Sequence, residues 1–352
     1  MSNQNDNTNL DSGNSTGGIL ATISDVVTDI VTGTTIPAPI RRNAFKAFAQ
    51  LCTAAIDLPV AYLEGIAAET RAQTEGRIKI ISTSAEKIAE QINVDPEYAR
   101  VAVKKYGQKI VRERVNLDQV SAVAAKQIQK DTSVNIDEQK ANNEIPPIDD
   151  DWLNHFEREA SQKSTEEMQL LFGRILAGEI QKPSSFSIKT VKLLGELDSR
   201  AANLFRLLCS TCVSLRVDDM VIDARVPSLG GSAASNSLQS YSLSFDTLNI
   251  LHEYGLIIPD YNSYMDYRMC IVDTNRRSML PLVHQNRNWA LVSKTDRPIS
   301  QEFRLHGVAL SRSGKELMKI VDIQPSEKYT NALQEYFEKQ QLKMVEVITS
   351  PE

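Results

Sequence analysis

Between Arg268 and Lys319, ten lysines and arginines face only four acids, Asp273, Asp296, Glu302 and Glu316, in a chain whose formal charge is -6. Tyr267 and Trp289 are interleaved with them. Cationic side chains neutralise phosphates, and an aromatic ring stacks on an exposed base of any kind. The pattern makes Arg276, Arg277, Arg287, Arg304 and Trp289 the candidate nucleic-acid contacts. A solvated strand surface, or a patch facing an acidic stretch of the same chain, has the same composition. The charge of the whole chain adds no general attraction to nucleic acid or acidic membranes.

Other reactive residue types are scattered. Cys209 and Cys212 form a C-x-x-C inside an apolar helical period, with no second pair and only Cys52 and Cys270 elsewhere. Structural zinc normally takes four ligands, so these cysteines read as small core residues, and neither a metal nor a cofactor is expected. Four cysteines do not make a secreted disulfide scaffold. His155, His252, His284 and His306 fall in no metal-binding or catalytic spacing, and no serine or cysteine is matched with a base and a third orienting group. Glu157, Glu159, Glu166 and Glu167 read as a solvated helix face and cap. Gly230-Gly231-Ser232 lacks the frame of a phosphate loop. No catalytic residue is assigned.

The chain is organised around the stretch from Asp151 to Leu194. Ser164 and Glu167 have the spacing of a capping box, and Met168, Leu171, Phe172, Ile175, Leu176 and Ile180 mark one buried helix face. Gly173, Ala177 and Gly178 leave notches where another backbone could approach. Lys182-Pro183-Ser184-Ser185 ends that helix, and Ser187 caps the next. The run from Leu171 to Ile180, the following Lys182 to Ser187, and the upstream IPAPIRRNAFKAF resemble an uncharacterised bacterial family known only as a domain of unknown function. The resemblance extends from about Ile36 onward and implies no activity, cofactor or catalytic residue.

In chain order, residues 1–17 are polar and read as a disordered tail. Residues 18–130 read as a helical oligomerisation region. It comprises an amphipathic helix from Gly18 to Thr32, a helix after the Ile36-Pro37-Ala38-Pro39 joint, and a long alanine-rich helix from Pro59 towards Gln91. Two further helices follow, with a break at Asn116. Residues 131–150 read as an acidic linker and 151–216 as a helical core. In 217–323, a helix ending in Gly255-Leu256-Ile257, then strands, then the turn Leu310-Ser311-Arg312-Ser313-Gly314 into a helix, resemble a winged-helix module. Residues 324–352 add a C-terminal helix and tail.

These observations predict a mainly α fold: an N-terminal helical hairpin or bundle, a helical core, and a small α+β winged-helix-like C-terminal module. The function expected is that of a non-enzymatic homo-oligomer in the cytoplasm, sensing nucleic acid or a protein partner. By analogy of layout, stress or phage defence is its setting. Two rival readings are an enzyme whose site is assembled only in the fold, around His252, Arg276, Arg277 or His284, and a membrane-associated effector with residues 18–32 on the bilayer. No run approaches the ~20 apolar residues that span a membrane, and the acidic face of 18–32 suits packing better than a lipid surface.

Overall fold

The computed structural model describes residues 30, 36–52, 95–134, 145–217, 220–272, 280–295 and 301–347. The polar tail, most of the 18–32 helix, the long helix from Pro59, and both Arg276 and Arg277 lie outside the described residues. The chain divides into two compact units, Met1–Val191 and Lys192–Glu352.

The first unit is helical. Helix α1 (Ala38–Leu51) starts behind Pro37 and buries Phe45, Phe48 and Leu51. Its Asn43 is fully buried and satisfied at three points. Nδ2 donates to the carbonyls of Pro146 (3.0 Å) and Ile180 (3.3 Å), and Oδ1 accepts from the Ile148 amide (3.2 Å). Lys46 reaches the Ile148 carbonyl at 2.8 Å and Asp150 at 2.6 Å. Residues 145–149 are thus stitched to α1.

Helix α2 (Pro96–Val134) runs 39 residues without a break. The interruption expected at Asn116 does not occur, because that amide donates sideways to the Ser161 carbonyl at 2.7 Å instead of capping its own backbone. Beyond it, Leu117, Val120, Ala124, Ala125 and Ile128 are buried.

Helix α3 (Asp150–Ala160) is capped by Asp149, and α4 (Glu166–Gln181) follows. The expected capping box is absent: Thr165 occupies the cap position and makes no side-chain cap bond. The notches also differ from expectation. A Cβ on Gly173 would lie 2.6 Å from Val123 Cβ and 3.0 Å from the Val120 carbonyl of α2, whereas one on Gly178 would meet the Phe186 ring at 2.7 Å rather than a backbone. Glu179, buried near the end of α4, accepts from the Ser184 amide (2.6 Å) and the Phe186 amide (3.0 Å) and so shapes the turn into α5 (Ile188–Glu196). Ser187 caps α5, as expected, by accepting from the Thr190 amide. Trp152, stacked on Phe156, donates Nε1 to the Phe186 carbonyl at 2.7 Å.

The second unit overturns the mainly α expectation. After α6 (Ser199–Thr211) come β1 (Val213–Val217) and β2 (Met220–Pro227), then α7 (Phe245–Glu253), β3 (Tyr264–Asp266), β4 (Ile271–Val272), β5 (Leu282–His284), β6 (Arg287–Ser293) and β7 (Arg304–Ala309). Helices α8 (Arg312–Met318) and α9 (Glu327–Lys339) and strand β8 (Leu342–Glu346) complete it. Its eight strands form one curled, half-barrel sheet in the order β3-β7-β2-β1-β5-β6-β4, with β8 on β6. All pairs are antiparallel except β4 with β6. This is not a winged-helix module with a small wing.

The fragments that suggested one do meet. Ser311 Oγ accepts from the Gly314 amide (3.1 Å) and donates to the Gly255 carbonyl (2.6 Å). Gly314 has no Cβ because the Leu256 carbonyl occupies that space. They form a helix–turn contact beside a much larger sheet.

Candidate interaction site

Three of the five expected nucleic-acid contacts lie among the described residues. Trp289 is 8% exposed, on β6, and its Nε1 donates to the His284 carbonyl at 3.3 Å across the β5–β6 turn. The ring is a core residue and offers solvent no face. Arg287 and Arg304 are exposed, at the start of β6 and of β7. Arg287 lies 3.5 Å from Glu346 on the neighbouring β8. Arg304 holds Glu302 at 2.7 Å and covers the Tyr264 ring at 4.6 Å. Arg287 and Trp289 share β6, and Arg304 is on β7, four strand positions away in the sheet order.

Other cations of the basic segment are engaged too. Arg268 pairs with Asp266, Lys294 lies 3.6 Å from Glu338, and Arg312 donates to Glu316 at 2.9 Å. Asp266 in turn accepts from the backbone amides of Phe303 and Arg268, both at 3.0 Å. Burial opposes its charge, but these bonds and Arg268 outweigh that and lower its pKa.

The interior of the sheet holds a charged network that the sequence did not reveal. Arg225, 3% exposed on β2, grips Asp223 with two bonds of 2.6 and 2.9 Å. Its Nη1 donates to the carbonyls of Ser263 (2.8 Å) and Leu305 (3.1 Å). Tyr267 donates its hydroxyl to Asp223 at 2.8 Å. Burial disfavours the guanidinium charge, yet Asp223 and Tyr267 more than offset this and its pKa rises. Burial drives the Tyr267 phenol well above its ordinary range. Through these bonds β2 is tied to β7 at Leu305 and to Ser263 and Tyr267, the residues flanking β3. The i, i+2 spacing of Asp223 and Arg225 on one strand face was the available signal.

The catalytic rivals are also placed. His284 is buried at the end of β5, with Nδ1 2.8 Å from the Cys212 carbonyl and Nε2 3.0 Å from Thr330 Oγ1. His252, near the C-terminus of α7, is exposed. All four cysteines are free and buried. Burial pushes the thiols of Cys52 and Cys270 up to about 12 and those of Cys209 and Cys212 upward as well, the opposite of a reactive thiolate. Among the described residues no three His, Cys, Asp or Glu side chains are placed to hold a metal ion. Among those residues no helix is long and apolar enough to cross a membrane.

Three exposed apolar side chains fall close together in the β1–β2 pair. Val217 and Met220 pair across β1–β2, and Ile222 follows on β2 at the register shift between the Val221 and Asp223 pairs. All three are exposed, Met220 by 63%.

The sequence profile of a family described as a protein of unknown function (DUF2806) matches residues 101–334, well over half of the chain. The chain belongs to this family. The DUF2806 match takes in most of α2, the whole of α3 to α8 and strands β1 to β7, and it ends within α9. Both the buried Asp223–Arg225–Tyr267 network and the apolar end of β1–β2 fall inside the DUF2806 span. No curated protein and no solved structure gave a significant match.

Proposed function

We propose that the chain is a non-enzymatic interaction protein that self-associates through its N-terminal helices and senses a protein partner through its C-terminal unit. The observation that carries the sensing role is the exposed apolar cluster of Val217, Met220 and Ile222. Clustered apolar side chains in water are unfavourable, and covering them releases about 25 cal/mol for each Å² buried. A protein surface supplies matching apolar area; a phosphate backbone does not. The engagement of Arg268, Arg287, Arg304 and Arg312 with carboxylates points the same way. Self-association rests on the alanine-rich apolar spacing from Pro59 to Gln91, which exceeds what one neighbouring helix covers. A stress or phage-defence setting suits such a sensor by analogy of layout alone.

Photo-cross-linking from position 220 in living cells, with light scattering of the purified chain, tests both halves. The expected result is an oligomeric chain whose single protein adduct disappears on Ile222→Asp. A nucleic-acid adduct would replace the class of partner. A monomer at micromolar concentration would remove self-association.

A further inference from the structure

The first five turns of α2 leave one face uncovered. At 100° per residue, Tyr98, Val101, Lys105, Tyr106, Lys109 and Arg112 fall within ~140° of the helix circumference. All six are exposed, Tyr98 by 68%, Val101 by 51% and Tyr106 by 57%. The first five of them, with Ala102, line a shallow groove. Val103, Gly107, Ile110 and Arg114, on another side of the helix, are half-buried, whereas the solvent side holds the stripe and continues past it through Lys104, Gln108 and Val111. Lys109 lies 3.6 Å from Glu113, while Lys105 and Arg112 have no ion-pair partner among the described residues.

We propose that this face binds single-stranded nucleic acid, with phosphates at Lys105, Lys109 and Arg112 and bases stacked on Tyr98 and Tyr106. The two rings are eight residues apart, about 12 Å along the axis, and the lysines emerge between and just beyond them. A ring in water beside an ammonium group is the arrangement that holds an unpaired base and its phosphate together. Within this arc three cations, Lys105, Lys109 and Arg112, stand against one acid, Glu113, so a second copy would bring net like charge together and the face favours an anion. A lipid surface calls for a broad Leu, Phe or Trp face, and here the apolar part is Val101, Ala102 and two tyrosines. A duplex keeps its base faces stacked inside and gives the rings nothing to cover.

The inference is independent of the protein-sensing reading, because it concerns another unit and another ligand. It is tested on the full chain by fluorescence anisotropy with short oligo(dT). A matched duplex, labelled poly-glutamate and vesicles containing phosphatidylserine serve as competing ligands. The wild type is expected to prefer oligo(dT). The double substitution Lys105→Glu, Lys109→Glu should weaken binding about tenfold or more and lower the salt slope of log K by about 1.4, since each phosphate left without its lysine removes about 0.7. Tyr98→Ala with Tyr106→Ala should weaken binding about tenfold while leaving that slope unchanged. Lys105→Gln, Lys109→Gln repeats the charge test without adding acid to the helix. Unweakened binding by these variants, or poly-glutamate or vesicles bound as tightly as oligo(dT), would overturn the proposal.

Discussion

His284 lies 3.0 Å from Thr330, and the same ring reaches the Cys212 carbonyl at 2.8 Å, so one imidazole ties β5 to the end of α6 and to α9. A carbonyl only accepts, so Nδ1 donates to Cys212; the Thr330 hydroxyl beside Nε2 also lies 3.0 Å from the Ser326 carbonyl, which competes for its single proton. The surrounding titratable groups, the Cys212 thiol and the Tyr329 phenol, are both pushed upward by burial and stay neutral.

Burial holds the His284 pKa below its ordinary value, only partly countered by the bond to Cys212. The unfolded chain therefore takes up a proton, near pH ~6.5, that the folded chain refuses. The stability linked to this site is full above about pH 6.5 and falls as pH drops below it, by up to about 1.4 kcal/mol per pH unit. Urea unfolding across this range should show the loss in the wild type and much less of it in His284→Gln. Equal pH dependence in the two proteins would assign it to other groups.

Glu179 is the second test. Its carboxylate satisfies two backbone amides in the turn after α4. Glu179→Ala leaves both donors without it and should cost about 3 kcal/mol, at 1–3 kcal/mol for each abandoned donor. Denaturant midpoints measure this, and a loss below about 1 kcal/mol would mean that water replaces the carboxylate readily.

The two glycines of α4 should respond differently to leucine. At Gly178 the obstacle is the edge of the Phe186 ring, whereas at Gly173 it is the body of α2, including the Val120 carbonyl. Gly178→Leu is expected to cost about 1–3 kcal/mol and Gly173→Leu more, because a helix backbone yields less easily than a side chain. Thermal melts of the two variants decide the order.

The helical half was the more legible in the sequence. Of the apolar repeat, Phe172, Ile175, Leu176 and Ile180 are buried as expected while Met168 and Leu171 are only half-buried, and Ser187 caps as expected. Asn116 misled because a polar residue inside a long helix can spend its side chain on a neighbour instead of ending the helix. The sheet was less legible because three of its strands, β3, β4 and β5, are only two or three residues long and show no period. Val213 to Arg216 falls in the stretch expected to be helical core, although Val213–Val217 alternates and is β-branched at both ends. Gln285 and Asn286, both at positive φ, make the tight turn between β5 and β6, a backbone that Asn tolerates well. Of the candidate contacts, Arg287 and Arg304 are exposed as a solvent-facing role requires. Trp289 is not, since aromatic residues serve cores as readily as surfaces.

Arg225 provides a fourth prediction. Arg225→Met removes the guanidinium while leaving Asp223 with only Tyr267 of the partners described above. Breaking a buried pair from one side typically costs about 3–5 kcal/mol. Replacing Asp223 and Arg225 together by apolar residues of similar volume should cost much less than the sum of the single changes, and a double-mutant cycle on unfolding free energies reads the difference.

That coupling constrains the history open to the sheet. A lineage that loses either Asp223 or Arg225 alone passes through a poorly folding ancestor, so the two positions are expected to change in concert or stay fixed. Tyr267, which depends on Asp223 to receive its buried hydroxyl proton, should follow them. Across relatives of this chain, the three positions would then be inherited as one character.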